Sequence, residues 1–131
     1  MRLRALRNTK GQALVEIALV LPVVLLLILG TLEVGRIIHT SLVVNHAARE
    51  GARAGALEAE DSEIVSKVSQ ALVAVDNGQT EIFIQPSEAN RKPGQSVTVE
   101  VRFPVTMYTP LIGKLLSNPF IVKSEVTMRV E

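Results

Sequence analysis

Residues 12–32 read QALVEIALVLPVVLLLILGTL, an apolar run whose single charged residue is Glu16. Its twenty-one residues, at about 1.5 Å each, make roughly 31 Å of helix, matching a hydrocarbon layer of about 30 Å. A buried core helix would need apolar partners on all sides, and no other part of the chain supplies them. The run is therefore predicted to span a membrane. Pro22 has no amide hydrogen for the carbonyl of Ala18, so a kink or loosened turn is expected, as membrane helices tolerate. Glu16 is harder to place. An acid near the start of a span is disfavoured by a few kcal/mol on insertion scales and is usually retained for a function.

The flanks set the direction. Arg2, Arg4, Arg7 and Lys10 precede the run with no acid among them. Removing those four charges from the net charge of +1 leaves −3 on the remainder. The basic residues thus form a local flank and not a nucleic-acid surface. Such a flank stays cytoplasmic, which sends the C-terminal portion across the membrane. A secretory signal shares the basic start and apolar core. Here the run continues GTLEVGRIIHTS, with no small-x-small cleavage site close behind Leu29, so the helix is expected to stay attached. The chain has no cysteine and no tryptophan. That excludes disulfides and Cys-based metal sites, and argues against a stacking platform for bases or sugars.

Beyond the span, Thr31 to Ala59 contains no proline and mixes charged with aliphatic residues, which predicts that the helix continues through residue 60. Ala47, Gly51, Gly55 and Ala59 recur every fourth residue, a small-residue stripe that permits close helix packing. Its partner is either the chain's own sheet or a neighbouring subunit. His39 and His46 lie about 10.5 Å apart along a helix, too far for easy chelation of one ion, and His46 with Glu50 gives only two ligands. No metal site is expected. Asp61 or Ser62 is the expected cap of a second helix whose apolar face is Ile64, Val65, Val68, Leu72 and Val75, with Asn77-Gly78 as its end.

Three strands follow. Thr80–Gln85 places Ile82 and Ile84 together. Ser96–Phe103 alternates with Val97, Val99, Val101 and Phe103 inward, and Phe120–Val130 alternates likewise. PSEANRKPGQ suits a hairpin connection. The second connection, PVTMYTPLIGKLLSNP at residues 104–119, is long and apolar. It either closes the core with a short helix or exposes a docking patch. The predicted fold is α+β: a long N-terminal transmembrane helix continuing into a small exported domain, in which a second amphipathic helix packs with a three-stranded antiparallel sheet. The expected divisions are a basic leader at 1–11, the span at 12–32, a helix extension at 33–60 and the exported domain at 61–131.

GQALVEIALVLPVVLLLILGTLEVGR resembles the amino-terminal signature of TadE-like pseudopilins, from the tight-adherence (Tad/Flp) branch of type IV pilus systems. The matching residues are Gly11, Glu16, Pro22, Glu33, Gly35 and Arg36; AAREGARAGA at 47–56 and the ending VTMRVE are also similar. Residues 57–119 carry no family feature. Ile17 departs from the aromatic residue often found after the glutamate in Flp-type pilins. The resemblance implies cutting between Gly11 and Gln12 by a prepilin peptidase, with Glu16 as fifth residue of the mature chain. It also implies other pilin-like subunits and the Tad inner-membrane assembly machinery as partners, in building or anchoring Flp-type pili for adherence. The chain would then lie in the inner membrane, N-terminus cytoplasmic and domain periplasmic or extracellular, or be associated with the pilus.

Cutting would leave a positive amine on Gln12, four residues before Glu16, within reach of that carboxylate in the same helix or a staggered neighbour. The bland alternative holds Glu16 at the headgroup boundary beside Lys10. No GxSxG, phosphate loop, HExxH or cysteine nucleophile occurs. Neither an enzyme, nor a cofactor, nor a small-molecule substrate is expected. The competing function is an unprocessed single-pass protein whose exported domain binds a partner.

Overall fold

The computed structural model describes residues 9–75 and 79–131. Helix α1, Thr9–Ala56, continues without interruption through Pro22 and is about 72 Å long at 1.5 Å per residue. Its two halves have opposite surroundings. From Gln12 to Leu29 every residue is exposed, and this half is long and apolar enough to cross a membrane, fitting a single-pass membrane protein. Farther on, Val44, Ala47, Ala48, Gly51, Ala52, Gly55 and Ala56 are buried, at the helical spacing that lines up one face.

α1 ends four residues before the expected residue 60. Glu58 adopts φ +62°, the amide of Glu58 bonds the carbonyl of Gly55, and that of Ala59 bonds the carbonyl of Ala54. This pairing of the last carbonyls terminates a helix through a left-handed residue, a position usually held by Gly. Helix α2, Asp61–Leu72, packs beside α1 through Ile64, Val68 and Leu72, three of the five apolar residues expected on that face; Val65 is exposed and Val75 half-buried. Its start differs from expectation. Glu60, and neither Asp61 nor Ser62, is the capping residue, and it makes no side-chain cap; the Asp61 carboxylate is turned to distant partners. The predicted stop at Asn77-Gly78 lies outside the described residues.

The sheet is an antiparallel meander of β1 (Glu81–Gln85), β2 (Ser96–Val105) and β3 (Phe120–Arg129), with β2 central. Each strand falls where the alternation predicts, within a residue or two. Register places Val99 between Ile84 and Val126, and Val101 between Ile82 and Ser124. Val97, Val99, Val101, Phe103 and Val105 are buried on the inner face, which is covered chiefly by α1, with α2 on its flank. Ser124, a polar residue on that face, donates to Asn45 Oδ1 of α1 at 2.9 Å. The outer face is solvated. Arg102 donates to Glu100 at 2.5 Å with Lys123 3.1 Å away; the Arg102 hydrogen bond, aided by Lys123, outweighs partial burial and holds the Glu100 carboxyl below its ordinary range.

The 104–119 connection contains a short helix, α3 (Pro110–Leu115). Met107 enters the core, whereas Tyr108, Leu111, Leu115 and Leu116 remain exposed. The expected short helix is present but buries none of its own residues, so α3 does not close the core. The Asn118 side chain ties its ends together, accepting from the Met107 amide at 3.1 Å.

Candidate functional site

The amino-terminal site is part of α1 itself. Gln12 and Glu16 are both helical and exposed, four residues apart and therefore on one face. Glu16, Ile17, Val20, Leu21 and Val24 line a shallow groove of about 340 Å³, walled only by the helix's own side chains. Among the described residues no basic group forms an ion pair with Glu16. The Arg2, Arg4 and Arg7 flank lies outside the described residues, as does the Lys10 side chain. Gly11 sits about one and a half turns before Glu16, already within the helix.

At the far end of the span, Glu33 and Arg36 become a clamp. Glu33 is only 6% exposed. It accepts from Arg36 Nη2 at 2.5 Å and from Thr109 Oγ1 at 3.3 Å. Arg36 also donates to the carbonyl of Thr106 and lies 4.4 Å from the centre of the Tyr108 ring, a cation–π contact. The two charges thus pin residues 106–109 against α1 just beyond Leu32. A charge this buried is stable only when paired and hydrogen-bonded, and here Thr109, from a loop more than seventy residues away, adds a hydrogen bond to the pairing with Arg36. The sequence motif showed the pair but could not show those partners. Gly35, between them, faces open space: an added Cβ would meet nothing within 4 Å.

The small-residue stripe is covered by the chain's own domain. A Cβ on Gly51 would lie 2.5 Å from Val68 Cγ2 and 3.1 Å from Val99 Cγ1, and one on Gly55 would lie 3.1 Å from Val97 Cγ2. Ala47 is completely buried in the same core. Ala59 departs from the stripe because α1 has already ended. It instead offers its carbonyl to Arg91 Nη1 at 2.6 Å.

Arg91 completes a tie between the helix junction and the β1–β2 connection. Its side chain is 4% exposed and pairs with Asp61, whose other oxygen accepts from the Glu88 amide at 3.2 Å. This long-range use of Asp61 is why it does not cap α2. A cleft of about 550 Å³ between α1 and α2 is lined by Glu50, Arg53, Glu58, Glu60, Glu63 and Lys67 among others. Charges of both signs face it. Among the described residues no three His, Cys, Asp or Glu side chains come together as a metal site, and His39 and His46 are both exposed.

Residues 11–53 match the family model described as TadE-like protein, roughly a third of the chain. The match begins at Gly11 and ends within α1, taking in Glu16, the Glu33–Arg36 clamp and the stripe as far as Gly51. No curated protein matches the chain, and no solved structure does. The amino-terminal part is therefore similar to TadE-like proteins over residues 11–53, the stretch that includes the helix long and apolar enough to cross a membrane.

Proposed function

We propose that this TadE-like chain is a pseudopilin that is cut between Gly11 and Gln12 by a prepilin peptidase and then takes part in assembling or anchoring Flp-type pili. The observation that carries the proposal is Glu16. It is the sole acid in a span otherwise devoid of charge, it is exposed along the lipid-facing half of α1, and no described base pairs with it. Cutting after Gly11 would place an ammonium group on Gln12, about 6 Å away along the helix axis. That group is a partner for Glu16 either within the helix or on an adjacent subunit displaced by one turn. In low dielectric such a pair is specific, because removing one member of a buried pair typically costs about 3–5 kcal/mol. Lateral association of spans would then be selected at one stagger, and other staggers would leave two unmatched charges in lipid.

Intact-mass measurement of the chain extracted from membranes of its native host tests the cut. Loss of residues 1–11 is the expected result. A full-length chain in cells with active prepilin peptidase would instead favour the unprocessed, partner-binding membrane protein. Gly11→Asp and Glu16→Ala separate the two steps: the first should leave a longer product, the second a cut product that assembles poorly. Normal assembly of Glu16→Ala would eliminate the pairing role while leaving the cleavage intact.

A further inference from the structure

The exposed leucines of α3 lie at the height where the span leaves the membrane. Gly30 is two residues before Leu32, hence about 3 Å inside the end of the apolar run, and a Cβ on Gly30 would lie 3.5 Å from Ile112 Cδ1 of α3. Leu29 and Leu32 also share a notch of about 280 Å³ with Tyr108, Thr109 and Pro110. The clamp formed by Glu33 and Arg36 fixes this segment at that level. Yet Leu111, Leu115 and Leu116 point away from the core, with Leu115 82% and Tyr108 75% exposed. Residues 104–119 contain no acid, and their single charge is Lys114.

Height decides what those side chains meet. Headgroups occupy about 5–8 Å on each side of the hydrocarbon layer. The six residues of α3 extend about 9 Å, with Ile112 in their midst. Whichever way α3 runs from Ile112, part of its leucine cluster falls within the headgroup layer or at the acyl boundary. The composition suits that layer: leucines beside an amphipathic tyrosine and a lysine, as in segments that settle at membrane interfaces.

We propose that residues 108–116 are a membrane-interface foot: α3 places Leu111, Leu115 and Leu116 among the lipids at the headgroup–acyl boundary of the leaflet through which the span emerges, with Tyr108 and Lys114 at headgroup level. This rests on reading residues 12–32 as the membrane span. The foot gives the domain a second attachment to the bilayer, continuous with the first, and so fixes how the domain tilts over the membrane surface.

The chain lacks tryptophan, so a single introduced indole reports one position. The full chain carrying Leu115→Trp, Leu111→Trp, Leu25→Trp or Phe83→Trp is reconstituted into phosphatidylcholine vesicles with nitroxide labels either near the headgroup or near the acyl-chain end. Leu115→Trp and Leu111→Trp should emit at shorter wavelength and lose most of their fluorescence to the shallow label but little to the deep one. Leu25→Trp should respond chiefly to the deep label, and Phe83→Trp, on the outer face of the sheet, to neither. If the two α3 positions escape quenching while Leu25→Trp is quenched, the foot is wrong and the span stands. If Leu25→Trp also escapes, both readings fall. A wavelength shift at α3 without quenching would mean that a second copy of the chain, and not lipid, covers the leucines, which equally overturns the proposal.

Discussion

Two glycines of α1 should respond unequally to the same substitution. Gly51→Ala puts a methyl group 2.5 Å from Val68 Cγ2 and 3.1 Å from Val99 Cγ1, where carbon atoms prefer about 3.5–4.0 Å. Val68 is β-branched and sits inside α2, so its rotamer is largely fixed, and Val99 belongs to the central strand. Relief must come from shifting α1 relative to both, a kind of overpacking that costs about 1–3 kcal/mol. Gly35→Ala places the same methyl where nothing lies within 4 Å. Both substitutions gain about 1 kcal/mol from better helix propensity, so the difference between them isolates the packing cost. Hydrogen exchange of the β2 amides in the full chain, held in lipid nanodiscs, reads that difference as a protection ratio of about 5–150-fold. Gly35→Ala should exchange no faster than the parent. Equal shifts for the two variants would refute the packing, because they would mean that the sheet does not rest on Gly51.

Further substitutions test the end of α1 and the β1–β2 connection tied to it. Glu58→Gly should stabilise the domain by about 0.5–1 kcal/mol, since Glu58 holds a left-handed backbone that disfavours any Cβ; Gly94→Ala, at φ +85°, should do the reverse, both visible in thermal unfolding. Asp61→Ala should cost about 1–2 kcal/mol, less than for a fully buried pair because Asp61 is itself partly exposed. In an Arg91→Met background the same change should cost measurably less, and a double-mutant cycle showing no coupling would exclude the ion pair as the tie between these segments.

The strands were legible because their information is local. Alternation in Ser96–Phe103 already states which side chains go inward, and pairing it with Phe120–Val130 leaves little choice of register once one face must be buried. The long helix was legible for the same reason. What escaped the sequence depends on partners far along the chain. Asp61 looked like a helix cap because Asp commonly is one, but Arg91 claims its carboxylate from thirty residues away. The end of α1 was hidden because a glutamate holds the position where Gly would have announced it. The stripe at Ala47, Gly51 and Gly55 announced close packing without naming the partner; only the seating of Val68, Val97 and Val99 does so. In residues 104–119, apolar composition could not separate Met107, which is buried, from Leu115, which is not. Glu33 and Arg36 were visible as a motif, whereas their hold on Thr106 and Thr109 was not.

These contacts divide along the chain in an orderly way. The clamp residues and Gly51 lie inside the TadE-like segment, while Thr106, Thr109, Val68 and Val99, which meet them, lie outside it. One continuous helix therefore carries two demands: an exposed apolar half with Glu16 for whatever pairs with it, and a half that must seat a sheet closely. Because α1 is continuous between them, the turn of about 100° per residue in a helix with 3.6 residues per turn fixes the direction of one half's side chains relative to the other's. The direction in which the domain faces is thus tied to the direction in which Glu16 faces. Under the assembly role proposed above, that coupling would let one charge pair in the membrane orient the domain outside it.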